Sequence, residues 1–391
     1  MRDIERAPKR IVRLLLLILP LACLGDPSAR TSPFGPPQTI RLPEGSRPGA
    51  LACGDFDRDG NPDLAVGSDG SDDITILLGN GRGGFRQAGP PVAAGPSPAE
   101  IVVADFNKDG LLDLAIANHG VSRVTVLLGD GRGGFRPAPG SPLSVRSLPH
   151  PHTIDACDAD GDGNLDLIID SFQENGLTLL QGDGRGGFRA PGTPIAVGRK
   201  PYRNLRARDF DGDGRCDIVV PSMTERGIVL LSGDGHGAFR GSANPVFPGG
   251  PSPFVVEYGD VNGDGKFDLV VTNYSGHISD PSGDALTFLL GDGGGGFRLG
   301  PKIATGHGPF DVAAADIDHD GYADAVTSNY GSKDLTVAFG ARDGLSPSRV
   351  ATVPLPDAPG RVILVDLNGD KKADAVTANP EAHTVTVLLA R

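Results

Sequence analysis

The chain has 391 residues, enough to bury a large core, and a formal net charge of −13 from 36 basic and 49 acidic side chains. That acidity excludes a nucleic-acid backbone as the natural partner and favours bound cations. Gly and Pro number 58 and 34, a content that reads as disorder without a period and as tight turns between short strands with one.

Taken in chain order, residues 1–25 read as an export signal. Lys9, Arg10 and Arg13 precede "LLLLILPLA", an apolar run too short to span a bilayer as a mature helix. Cys23 follows Ala22 where a lipoprotein cysteine would be acylated, but Pro20 and Leu21 depart from that pattern. Cleavage after Gly25 and simple export are therefore expected, giving a secreted or cell-surface protein. A lipid anchor at Cys23 is the alternative, and the one route to a membrane. Residues 26–33 form a short linker to a body over 34–391, which carries no apolar helical stripe and reads as a monomeric all-β domain.

That body is built on a repeat. "DFDRDGNPD" begins at Asp55, and related acidic nonapeptides begin at Asp105, Asp158, Asp209, Asp260, Asp316 and Asp366, in steps of 50, 53, 51, 51, 56 and 50 residues. An apolar run leads into each loop and another leaves it. Next come a run such as "VTVLLG", a glycine turn and a Phe-led extended segment. Four strands per unit of about fifty residues fit one propeller blade, and seven units make a ring.

The glycine turn poses its own question, because Gly129-x-Gly131-x-x-Gly134 has the wording of a dinucleotide fingerprint. A fingerprint must open a helix. Here "PAPGSPLSV" follows, which no helix interior accommodates, and the turn recurs five times along the chain. It therefore joins two strands, and no nucleotide is expected.

The spacing also predicts how the ring closes. Phe85, Phe135, Phe188 and Phe239 each lie 30 residues after the first aspartate of their unit, but the last unit ends 25 residues after Asp366, before any fourth strand. "FGPPQTIRL", from Phe34, stands where a preceding outer strand belongs. It should pair beside 385–391 and remove the open edge. Cys53, Cys157 and Cys216 are widely spaced at small or apolar positions, which reads as buried free thiols.

Each acidic loop offers oxygen side chains at positions 1, 3, 5 and 9. These are Asp55, Asp57, Asp59, Asp63; Asp105, Asn107, Asp109, Asp113; Asp158, Asp160, Asp162, Asp166; and Asp209, Asp211, Asp213, Asp217 in the first four loops. The last three supply Asp260, Asn262, Asp264, Asp268; Asp316, Asp318, Asp320, Asp324; and Asp366, Asn368, Asp370, Asp374. Hard oxygen donors without His or thiolate suit Ca²⁺. Gly at position 6 permits the turn around an ion, so loop 7, with Lys371 there, should be the weakest site. Residues 1–22 carry a charge of +3, leaving −16 for the rest, and seven Ca²⁺ would bring that to −2.

With the acidic nonapeptide, "VTVLLG" and the glycine turn established, the chain resembles FG-GAP/VCBS repeat proteins, related in fold to the N-terminal propeller of integrin α chains. The resemblance covers residues 34–391. It implies calcium in the loops between first and second strands. It also implies partners on the opposite face, reached through the second-to-third and outer-to-inner connections.

Two units break the spacing, and irregular loops on a regular scaffold are where function tends to sit. Unit 5 is lengthened in "NYSGHISDPSGDA", with Tyr274 and His277, while "VRSLPHPHT" before unit 3 brings His150 and His152. Neighbouring connections add Lys200, Tyr202 and Arg203, then His307 and Phe310. Together they would make a mixed basic and aromatic patch for an extracellular protein or glycan. No nucleophile stands beside a base in a recognisable order, so no enzyme is expected. A calcium-stabilised adhesion or protein-interaction module is the leading reading. A lectin comes second, weakened by the absence of Trp, and a polysaccharide-cleaving enzyme third.

Overall fold

The computed structural model describes residues 32–145, 151–171, 176–197, 204–222, 224–241, 246–274 and 283–391. Residues 1–25, read above as an export signal, and Cys23 among them lie outside this range. Residues Ser32–Arg391 form one compact unit of seven antiparallel sheets. In blade 2 the order from the axis outward is Pro98–Ala104, Asp113–Asn118, Arg123–Gly129 and Phe135–Pro137. The second strand, DLAIAN, is buried along its whole length because both faces meet another blade. Leu114 and Ile116 pack with blade 1, whereas Ala115 and Ala117 pack with blade 3, as a period of two requires. The core is thus divided among the gaps between blades.

In four blades the outer strand is broken into two pieces. Phe135–Pro137 and Leu143–Ser144 both pair with Arg123–Gly129; between them the Ala138 N–H still donates to Val126 O at 2.9 Å, but Pro139 and Pro142 have no N–H to give to the ladder.

Closure follows the expected path. Gln38–Arg41 pairs antiparallel with Thr384–Leu388, Gln38 opposite Val387 and Arg41 opposite Thr384. Phe34, 1% exposed, bridges to Ala390. The N-terminal strand thereby completes blade 7.

The cysteine expectation needs correction. Cys157 and Cys216 form a disulfide with Cα atoms 6.3 Å apart, while Cys53 remains free. Cys157 immediately precedes loop 3, and Cys216 is position 8 of loop 4. The same two positions meet between blades 1 and 2 and between blades 5 and 6, as the Gly54–Leu112 and Gly259–Ala323 approaches show. A separation of 59 residues conceals that neighbourhood in the sequence.

Candidate metal loops and channel mouth

The acidic loops and glycine turns share one face because both connect an outbound strand to an inbound one. In loop 1, Asp55 accepts the N–H of Asp59 at 3.1 Å and of Gly60 at 3.0 Å, and Asp57 accepts that of Asp59 at 3.2 Å. Positions 4 and 6 are both left-handed, Arg58 at φ +61° and Gly60 at φ +85°. The glycine turn of each of several blades then docks on the preceding loop. The Gly133 N–H donates to Phe56 O at 3.0 Å, and that of Gly186 to Phe106 O at 3.1 Å. The docking is thus made by a glycine of the turn that stands between the second and third fingerprint-like positions.

Position 9 has a structural duty that the spacing did not reveal. All seven of these aspartates are fully buried. The Asp113 carboxylate accepts Phe106 N–H at 3.0 Å and Gly129 N–H at 2.9 Å, tying the loop to the end of the third strand. Gly129 is required there, since an added Cβ would stand 2.2 Å from Leu112 O. Burial pushes Asp113, Asp166, Asp217 and Asp268 up to about 6 and Asp324 up to about 7, with neighbouring loop carboxylates raising them further.

Carboxylate oxygens gather in four of the loops. Asp55, Asp57 and Asp63 bring one oxygen each within 4.8 Å of one another, as do Asp158, Asp160 and Asp166, and Asp209, Asp211 and Asp217. In loop 6 the trio is Asp316, Asp318 and Asp320. Loops 2, 5 and 7 carry Asn107, Asn262 and Asn368 at position 3, which leaves one carboxylate fewer. These groups can hold a hard cation, and the all-oxygen donor set fits the ion the loops suggest.

On the opposite face a cavity of about 370 Å³ opens at the axis. His152 and Phe310 line it, together with Arg47, Asp69, His119, Phe254 and Arg361. Phe254 packs edge-on against Tyr274 at 5.1 Å and Phe310 at 5.7 Å between ring centroids. The His119 and His152 rings lie 4.7 Å apart, and His152 Nδ1 sits 3.1 Å from Asp170 Oδ2. His307 Nδ1 approaches Asp284 Oδ2 at 2.6 Å, and its neighbour Gly308 lies against the Tyr274 ring. Of the expected patch, His152, Tyr274, His307 and Phe310 therefore belong to one face. His150, Lys200, Tyr202, Arg203 and His277 lie outside the described residues.

Below this cavity a second one, about 380 Å³, runs along the axis. Glu100, Asp155, Arg206, Glu257 and Asp311 line it from inner strands, and Arg361 from the residue before one. Arg206 spans it, with Nε 2.9 Å from Glu257 and Nη1 3.2 Å from Glu100. Asp155 accepts the N–H of Ala207 at 2.9 Å, and burial pushes its carboxyl up to about 6 despite the pull of Arg206. Sequence reasoning missed this network. Its signal was a charged residue three or five positions before each of loops 2 to 7, inside or just ahead of an inner strand, where loop 1 has Ala50 and Ala52.

Three stretches, residues 55–116, 105–169 and 209–271, match the FG-GAP-like repeat family. No curated protein matches the chain in sequence. Among solved structures, BBS1N in complex with ARL6DN superposes with TM-score 0.59 at 11% identity, over 87% of this chain and 91% of that one. Virginiamycin B lyase from Staphylococcus aureus gives 0.58 at 12%, over 91% and 99%. An Agrocybe aegerita lectin that recognises non-reducing terminal N-acetylglucosamine gives 0.54 at 20%, over 78% and 80%. Identities this low show a shared fold alone.

Proposed function

We propose that this chain of FG-GAP-like repeats, closed as a seven-bladed β-propeller, is an exported interaction module that carries Ca²⁺ in its acidic loops. The opposite face takes an extracellular protein or glycan. The observation that carries this reading is a division of labour between the faces. One face repeats an oxygen-rich loop in register, while the other gathers irregular connections around an aromatic cavity. The Cys157–Cys216 disulfide suits an oxidising compartment, in keeping with the signal read in residues 1–25. No catalytic role is assigned to any side chain.

At millimolar Ca²⁺ and Kd of order 10⁻⁴ M, each filled site would add roughly 1.4 kcal/mol. Stripping the metal should therefore lower Tm steeply, and readdition of Ca²⁺ should restore it. A melt indifferent to chelation would remove calcium from this account. For the partner face, calcium-loaded protein should be applied to glycan and extracellular-protein arrays. Signals lost in Phe310→Ala but kept in Gln87→Ala, on an outer strand, support the assignment. Signals equally insensitive to both would place binding elsewhere. Glycan hits alone would favour the lectin reading, for which the Phe254, Tyr274 and Phe310 rings supply apolar faces.

A further inference from the structure

We propose that the cavity at the channel mouth binds a small carboxylate carried on an aromatic or similarly apolar body. The inference rests on the partner-face reading above and names the chemistry that face selects.

Arg361 is the one described residue that lines both the mouth cavity and the channel beneath it. It forms the floor of the first and the roof of the second. Its counter-ions belong to the channel, with Asp311 Oδ1 at 3.4 Å from Nη1 and Glu100 Oε2 at 4.0 Å from Nη2. These separations exceed the 2.9 and 3.2 Å of Arg206, the other guanidinium of the network. A guanidinium has five N–H donors. Among the described residues Arg361 uses two of them, toward Asp311 and the Ala99 carbonyl. The remaining donors are available to an acceptor arriving from the mouth, and a carboxylate matches their fork geometry.

The walls set the rest of the ligand. Phe254 and Phe310 line it from blades 5 and 6, and the His119 and His152 rings line it from blades 2 and 3. Among the described residues Asp69 is the one carboxylate lining this cavity, and it accepts the Ser97 hydroxyl. Arg47 at the rim pairs with Glu381 at 3.0 Å. The described lining therefore carries two guanidiniums against one carboxylate, on a protein whose net charge is −13. A volume of about 370 Å³ accommodates one ring with a short acidic arm. The anion would meet Arg361 while the ring lies along the phenylalanines.

The test is a calorimetric titration of the full-length, calcium-loaded protein with N-acetyl-L-phenylalanine and with its carboxamide. The acid should bind at least tenfold more tightly. Arg361→Gln should erase that preference, and Phe310→Ala should weaken both compounds together while keeping the ratio. If Arg361→Gln does not fold, the wild-type ratio and the Phe310→Ala series still decide. Equal affinity for acid and amide, no binding of either, or a preference that survives Arg361→Gln would each overturn the proposal. A hexapeptide ending in phenylalanine separates the sources. Tighter binding than the free acid points to a peptide chain end, weaker binding to a small metabolite. Array signals that persist while acid and amide bind alike would sink this inference and leave the partner-face reading standing.

Discussion

Lys371 occupies the sixth position of loop 7, where the six other loops have glycine. Its backbone is left-handed at φ +70°, and its N–H donates to Asp366 at 2.8 Å, the bond that Gly60 makes to Asp55. The loop therefore keeps its shape and bears the strain of a side chain at positive φ. Nothing lies within 4 Å of a Cβ built at Gly60, Gly110 or Gly265, so the penalty is backbone strain and not a clash. Lys371→Gly should stabilise the protein by about 0.5–1 kcal/mol, read as a higher Tm in scanning calorimetry. A lower Tm would mean that the lysine earns its place through an interaction of its own. Position 9 teaches the complementary lesson. Asp113 looked like one ligand among four, yet both its oxygens already accept backbone N–H groups. Any metal it binds must share a carboxylate that also fastens the blade.

Between elements, the contact that matters most joins the residue before one acidic loop to position 8 of the next. Blades 1 and 2 fill it with Gly54 and Leu112, and blades 3 and 4 with Cys157 and Cys216. Blades 4 and 5 use an aromatic cluster in which Tyr258 and Phe267 stand 5.0 Å apart, with Arg208 donating to the Tyr258 hydroxyl at 2.6 Å. Repeats, loops and closing strand were legible because they recur at a fixed period. The disulfide and the channel charges were not, because each depends on which single positions of adjacent blades face one another. The cavity at the mouth was legible in half. His152 and Phe310 sit in anomalous connections, whereas Phe254 and Arg361 look like ordinary strand-entry residues. Cross-linking residues 59 apart restricts the unfolded chain, so the Cys157→Ser, Cys216→Ser double variant should lose about 2–4 kcal/mol. Thiol reduction should lower the wild-type Tm and leave the variant unmoved. Equal sensitivity of both would show that the bond contributes nothing to the fold.

At the scale of the whole molecule, the acidity gathered on one face controls how stability responds to pH. Without metal, buried loop carboxyls such as Asp113, Asp166 and Asp324 sit at about 6, 6 and 7, above an ordinary value of 3.8. The folded chain then binds more protons than the unfolded one. The associated stability is complete below the unfolded value and is lost as pH rises through 6 to 7. Metal-free protein should melt higher at pH 5.5 than at 7.5. Calcium-saturated protein should show the opposite slope, because the ion requires ionised ligands. Parallel slopes in the two states would separate the loops from calcium. The same ring stands or falls on one short strand. Gln38–Arg41 covers the edge of Thr384–Leu388, and the Gly35 N–H to Leu389 O bond at 2.7 Å and the buried Phe34 ring extend the seam. Deleting residues 32–41 exposes that edge and opens the gap where blade 7 meets blade 1, so cooperative unfolding should be lost and the chain should self-associate through the bare strand. A synthetic peptide covering 32–42, added in excess, should restore a single transition. A truncated protein that melts like the full chain would show that the ring holds without its closing strand.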